Sequence, residues 1–99
     1  MNVLRRDEVI EVLRRHKAEF AERYGVTGLG VFGSVARDNA TEASDVDVVV
    51  EMTNPDLFFM VHIKETLEEE FHRPVDVVSY GKWMSRFMKN RIDQEGVYV

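Results

Sequence analysis

A chain of 99 residues, 44% hydrophobic and 31% charged, has the size and composition of one small globular domain over 1–99 and leaves no room for a second. The absence of cysteine excludes a disulfide framework, a zinc ribbon and a thiolate nucleophile, and a net charge of -5 argues against a coat for duplex nucleic acid. No apolar run approaches the roughly 18 residues of a membrane span, and the mixed charge from Arg5 onward lacks a signal-peptide core, so the expected setting is the cytoplasm.

In chain order, the apolar residues Val9, Val12, Leu13, Phe20 and Tyr24 recur at three- and four-residue steps, which predicts an amphipathic helix from Asp7 to a C-cap at Gly25. Residues 26–32, rich in β-branched and aromatic side chains with Gly28 and Gly30 interleaved, form a predicted strand that Gly33-Ser34 breaks. A turn or two of helix over 34–37 and a polar loop over 38–44 lead to a buried strand over 46–52. Asn54-Pro55 opens a helix that runs to about Phe71, with Leu57, Met60, Val61, Leu67 and Phe71 as its core stripe. Phe59 and Ile63 lie off that stripe, four apart, and either fill a second core surface or form a docking patch. His72-Arg73-Pro74 ends the helix. A short inner strand follows over 75–79, then a last helix over 82–94 bearing Trp83, Met84, Phe87, Met88 and Ile92. Gly96 releases a three-residue tail. The expected fold is α/β (α+β), a small mixed three-stranded sheet flanked by helices.

The charge is unevenly placed. Between Asp38 and Asp76 there are eleven acidic and two basic residues, whereas both flanks are net basic. Such a block is either a solvated face or a cation site between flanks that hold a polyphosphate. Asp45-Val46-Asp47 stands at a strand start, where a period of two puts both carboxylates on one face, roughly 6.5 to 7 Å apart. Away from water they repel unless a divalent cation lies between them, and Mg²⁺ favours one or two carboxylates completed by phosphate oxygens. Two solvated acids at a strand end are the plainer alternative.

Gly33-Ser34 lies where a strand meets a helical turn, so its backbone can approach a phosphate and the serine adds a hydroxyl; an ordinary capped turn is the competing interpretation. Arg37 either binds phosphate or pairs with a loop acid. Asp76 is the lone polar residue of Val75-Asp76-Val77-Val78, and is either a third carboxylate beside the first two or an edge-strand acid facing solvent. His16, His62 and His72 have no metal-ligand spacing, and Glu68-Glu69-Glu70 is expected to be a solvated helix face.

Together Gly33-Ser34-Val35-Ala36-Arg37, Ser44-Asp45-Val46-Asp47 and the later Asp76 resemble the minimal nucleotidyltransferases of the DNA polymerase beta-like superfamily: G-S-x-x-R, a short loop, S-D-x-D and a third Asp. The resemblance runs nearly end to end and points to the small prokaryotic proteins paired with HEPN-domain RNases in toxin–antitoxin modules. It implies a polymerase beta-like palm, with Gly33, Ser34, Arg37 and Ser44 around the nucleotide. Asp45, Asp47 and Asp76 are implied to be both metal ligands and catalytic, with Asp76 helping to deprotonate the acceptor hydroxyl. The same resemblance implies two Mg²⁺ ions, ATP as substrate, and a HEPN-domain toxin in a hetero-oligomer, silenced by AMP transfer to a tyrosine. Asp38 departs from the pattern, since many relatives carry Gly after the Arg, but Asp tolerates the left-handed region better than most residues.

Two rivals stand beside this expectation. An antitoxin could neutralise its partner by binding alone, with vestigial nucleotide binding. A transferase acting on RNA ends or a small molecule is the other, and the short acidic chain, with no separate substrate-binding domain, weighs against it.

Overall fold

In the computed structural model, which describes residues 3–99, helix α1 (Arg6–Tyr24) begins where the Glu8 carboxylate accepts the Arg5 N–H at 3.0 Å. It ends at Gly25, whose φ of 68° lets its N–H turn back to the carbonyl of Ala21. Strand β1 (Val26–Phe32), the four-residue helix α2 (Gly33–Ala36) and strand β2 (Val46–Met52) follow, then α3 (Leu57–Phe71), β3 (Val75–Ser79), α4 (Arg86–Glu95) and β4 (Val97–Tyr98). Residues 1 and 2 of the expected domain lie outside those described.

The sheet has the order β3-β2-β1-β4. β1 is antiparallel to β2 and to β4, whereas the α3 crossover makes β2 and β3 parallel, in the register Asp47 to Asp76. The sheet is therefore mixed as expected but has four strands, not three. A two-residue strand carries too little periodicity to be read from sequence, and its place depends on Gly30, opposite Tyr98, where a Cβ would come within 2.7 Å of the Val97 carbonyl.

Alternation along the strands sorts the core. Leu29, Val31, Val46, Val48, Val50 and Val75 share one cluster with Val9, Leu13 and Phe20 of α1 and Ile63, Leu67 and Phe71 of α3. Phe32 and Val49 meet Ile92 of α4 in a second, smaller cluster framed by Val78, Tyr80, Met84 and Met88.

Two helices depart from expectation. α3 starts at Leu57, because Asp56 rather than Asn54 caps it, accepting the N–H groups of Phe58 at 2.8 Å and Phe59 at 3.2 Å. Its buried residues are Ile63, Leu67 and Phe71, while Leu57 (78%) and Val61 (49%) are exposed. Hydropathy could not set the phase, since Leu57 to Val61 and Ile63 place apolar side chains around the whole circumference. Ile63 is core, and Phe59 is partly buried against Tyr24 with ring centroids 5.2 Å apart, so Ile63 fills the core and the two do not form an exposed patch. α4 starts at Arg86, capped by the Ser85 hydroxyl, and leaves Trp83 in the preceding turn 90% exposed.

In the acidic run Glu69 and Glu70 are exposed, as a solvated face requires, and only Glu68 is half-buried. Glu68 accepts the Val75 N–H at 3.0 Å and pairs with Lys64 at 3.0 Å, contacts that hold its carboxyl below the usual range. Glu70 meets the His16 ring at 2.8 Å, tying α1 to α3.

The packing predicts that Ile63→Ala lowers the unfolding free energy in urea by about 2–4 kcal/mol, whereas Leu57→Ala stays within about 0.5 kcal/mol of the parent. Equal losses in the two variants would contradict the observed phase of α3.

Candidate active site

Asp47 is the second residue of β2, and the sheet register gives it Phe32 as its partner on one side and Asp76 on the other. Its carboxyl is half-buried and its pKa is raised, first by burial and next by the Asp76 carboxylate. Asp45 adds repulsion, while Arg91 and Arg37 pull in the opposite direction. Asp45 itself is exposed just ahead of β2.

Asp76 is on an edge strand and exposed, so the inner-strand expectation fails although its proximity to Asp47 holds. Hydropathy misled here because Val75, Val77 and Val78 make β3 look fully covered, when it has one neighbouring strand.

Gly33 is required by its backbone conformation, and any side chain there would have to displace the Asp47 carboxylate. Its φ of 76° is left-handed, and a Cβ built on it would collide with the Asp47 carboxylate. The turn that brings a backbone N–H to the site is thus packed directly on the acid of the next strand. Ser34 follows at the start of α2, partly buried, with its carbonyl accepting the Asn39 N–H at 2.8 Å. Asp38 does adopt φ 59°, and its carboxylate accepts the Arg6 N–H at 3.2 Å, so the non-glycine residue gains a bond to α1.

Arg37 pairs with an acid, as the structural alternative required, but the acid is Glu95 of α4 at 2.8 Å, not one from its own loop. The Ser44 hydroxyl accepts the Thr41 N–H at 2.8 Å and so closes the 41–44 loop, which Arg73 steadies through the carbonyls of Thr41 and Ser44. Ser44 therefore sets the approach to Asp45 through the backbone.

Phe32, Asp47, Lys64, Asp76, Met88 and Arg91 line one cleft of about 440 Å³. Arg91 lies over the Phe32 ring, 5.6 Å from its centroid. Arg91 and Glu95 were missed in the sequence, where the net basic character of the last segment hinted at the arginine and nothing marked the glutamate. A second hollow of about 470 Å³ involves Leu57, Met60, Ser79, Trp83 and Met84; its one acid, Asp56, is already committed to capping α3.

Among the described residues no three His, Cys, Asp or Glu side chains form a ready cage for a metal ion. Two mutually repelling carboxylates beside an open cleft suit a different arrangement, in which a hard cation shares them with phosphate oxygens brought by a ligand. All donors are oxygen, which fits Mg²⁺ and excludes a soft-metal site.

Residues 13–99 match the nucleotidyltransferase domain family. The protein adenylyltransferase MntA of Thermococcus cleftensis is 38% identical over 100 residues, covering the whole of both chains. Among solved structures, a toxin–antitoxin with AMP-PNP superposes with a TM-score of 0.71 at 19% identity, covering 96% of this chain and 72% of its own. A complex of tri-AMPylated Shewanella oneidensis HEPN toxin with an MNT antitoxin gives 0.70 at 14% identity, over 94% and 70%. These two structural likenesses are likenesses of fold.

The raised pKa of Asp47 has a sign. The folded state holds the proton more tightly than the unfolded chain, so ionisation costs stability as pH rises from the ordinary carboxylate value through the raised one, and the cost persists above it. Asp47→Asn should raise the melting temperature at pH 7 in EDTA and flatten that acid-side dependence. A lower melting temperature would mean that favourable contacts hold the carboxylate.

Proposed function

This chain belongs to the nucleotidyltransferase domain family, and on that footing we propose that it is a Mg²⁺-dependent adenylyltransferase, transferring AMP from ATP to a tyrosine hydroxyl of a HEPN-domain RNase toxin and so neutralising it. The observation that carries the proposal is the placement of Asp47 against both Asp76 and the Gly33 turn, with Asp45 just upstream. Support also comes from the relative named protein adenylyltransferase, alike over its full length, and from a solved complex in which this fold accompanies a HEPN toxin bearing three AMP groups.

Asp45, Asp47 and Asp76 would hold the metal, with two ions the expected number. Bound there, Mg²⁺ would align the attacking oxygen with the α-phosphorus and offset charge on the leaving pyrophosphate. The Gly33 N–H, the Ser34 hydroxyl and the Arg37 guanidinium supply donors for phosphate oxygens. Asp76, on the open edge, is the carboxylate an incoming protein can reach, and it takes the proton from the acceptor hydroxyl. The tyrosine oxygen then bonds to the α-phosphorus as the bond to the bridging oxygen breaks and pyrophosphate leaves.

The expected assembly is a hetero-oligomer of this single domain with its toxin, located in the cytoplasm and without affinity for duplex nucleic acid. No helix among the described residues is long and apolar enough to cross a membrane. Leu57, Phe58, Val61, Trp83 and Phe87 are exposed, an apolar surface that suits a lasting partner. That surface also favours the rival reading, neutralisation by binding alone, which predicts a silenced but unmodified toxin.

Intact-mass analysis of the co-purified partner, incubated with ATP and Mg²⁺, separates the two. The partner should gain the mass of one or more AMP groups. Asp45→Asn and Asp47→Asn, folded by circular dichroism, should slow this by more than about 100-fold, because even partners behind a metal ligand are worth 10–100-fold. Asp76→Asn should lower turnover much more than ATP affinity; equal losses would make it an ordinary nucleotide ligand. A partner that is inhibited yet never gains mass would leave the binding-only account standing.

A further inference from the structure

Glu95 is the last residue of α4, and its carboxylate lies on the two groups just assigned to the nucleotide's phosphates. Oε1 accepts from Arg37 Nη1 at 2.8 Å, and Oε2 accepts the Gly33 N–H at 3.3 Å. Arg91 Nη2 stands 3.8 Å from the same Oε2. The Glu95 side chain is 23% exposed, so this is a partly sheltered carboxylate in a set of donors built for an anion.

Its position is fixed from both sides. The next residue, Gly96, returns its N–H to the Ile92 carbonyl at 2.7 Å, and a Cβ there would meet that same oxygen, so glycine permits the tight exit from α4. One residue later the chain pairs with β1 as β4, opposite Val31 and Gly30. Helix and strand therefore deliver the carboxylate to the mouth of the Gly33 turn.

We propose that Glu95 is an internal anion seated where a nucleotide phosphate binds, and that it sets the affinity for ATP because it must leave before the triphosphate can enter; this rests on the phosphate-binding role given above to Gly33 and Arg37. A carboxylate presents two oxygens to Arg37 and an amide as a phosphate does, with less charge, and the two anions cannot share the donors because like charges at that distance repel. Arg91, one turn back along α4, is close enough to receive the displaced carboxylate through an i,i+4 pair. The seat is thus filled by the chain's own acid in the nucleotide-free protein.

Calorimetric titration with Mg·ATP and with Mg²⁺ plus inorganic tripolyphosphate tests this on three variants whose fold is checked by circular dichroism. Glu95→Ala and the near-isosteric Glu95→Gln should each bind both probes roughly five-fold tighter than the parent, the scale of one half-exposed charged contact. Arg37→Ala should bind both more weakly. Unchanged or weaker binding in the Glu95 variants, with Arg37→Ala still impaired, would overturn the competition while leaving the phosphate assignment standing. Parent-level binding in Arg37→Ala would remove the seat itself, and with it both this inference and the phosphate role on which it rests.

Discussion

Asp47 and Asp76 repel one another side by side in the parallel register of β2 and β3, and the elements around them are arranged to bear that repulsion. A fold selected for stability alone has no use for a half-buried carboxylate facing a second one. Here the parallel pairing that creates the contact follows from the α3 crossover, and Val46, Val48 and Val75 anchor both strands from beneath. Gly33 leaves room for the acid, and Arg37 and Arg91 temper its charge from two other elements. On the proposed reading, a cation and nucleotide phosphates bound there would supply the compensation that the protein by itself provides only in part.

The last fifteen residues do more than close the domain. Ile92 seals the second core cluster, Arg91 lines the acid cleft, Glu95 reaches the Gly33 turn, and β4 extends the sheet beside β1. In a chain whose core is thin, one segment thereby carries packing, electrostatics and sheet edge together. The packing of Ile92 and the contact of Glu95 with the Gly33 turn are tied together through α4. Phe87, exposed in the first turn of α4, shares the helix with the cleft-lining Arg91, and the exposed Trp83 lies in the turn just before it.

The strands and the acid motif were legible because they rest on local rules. β-Branched and aromatic composition marked 26–32, apolar runs marked 46–52 and 75–79, Gly25 marked a helix end, and the Gly33, Asp45, Asp47 and Asp76 pattern carried the family resemblance. What escaped depends on tertiary context. The phase of α3 was hidden by apolar residues on all sides of its first turns, and the cap at Asp56 lost to a more conspicuous Asn-Pro. β4 is too short for a period. The edge position of Asp76 depends on strand order, and the roles of Arg91 and Glu95 depend on where α4 crosses the sheet, which no spacing in the chain encodes.

On the proposed reading, one cation-dependent nucleotide site lies between the Gly33 turn and the acids of β2 and β3. Crystallography of the protein with AMP-PNP and Mn²⁺, using the anomalous signal of manganese, tests it most directly. The account predicts manganese bound to Asp47 and at least one of Asp45 and Asp76, with the triphosphate against Gly33 and Arg37. A nucleotide bound elsewhere, or manganese away from these carboxylates, would contradict it.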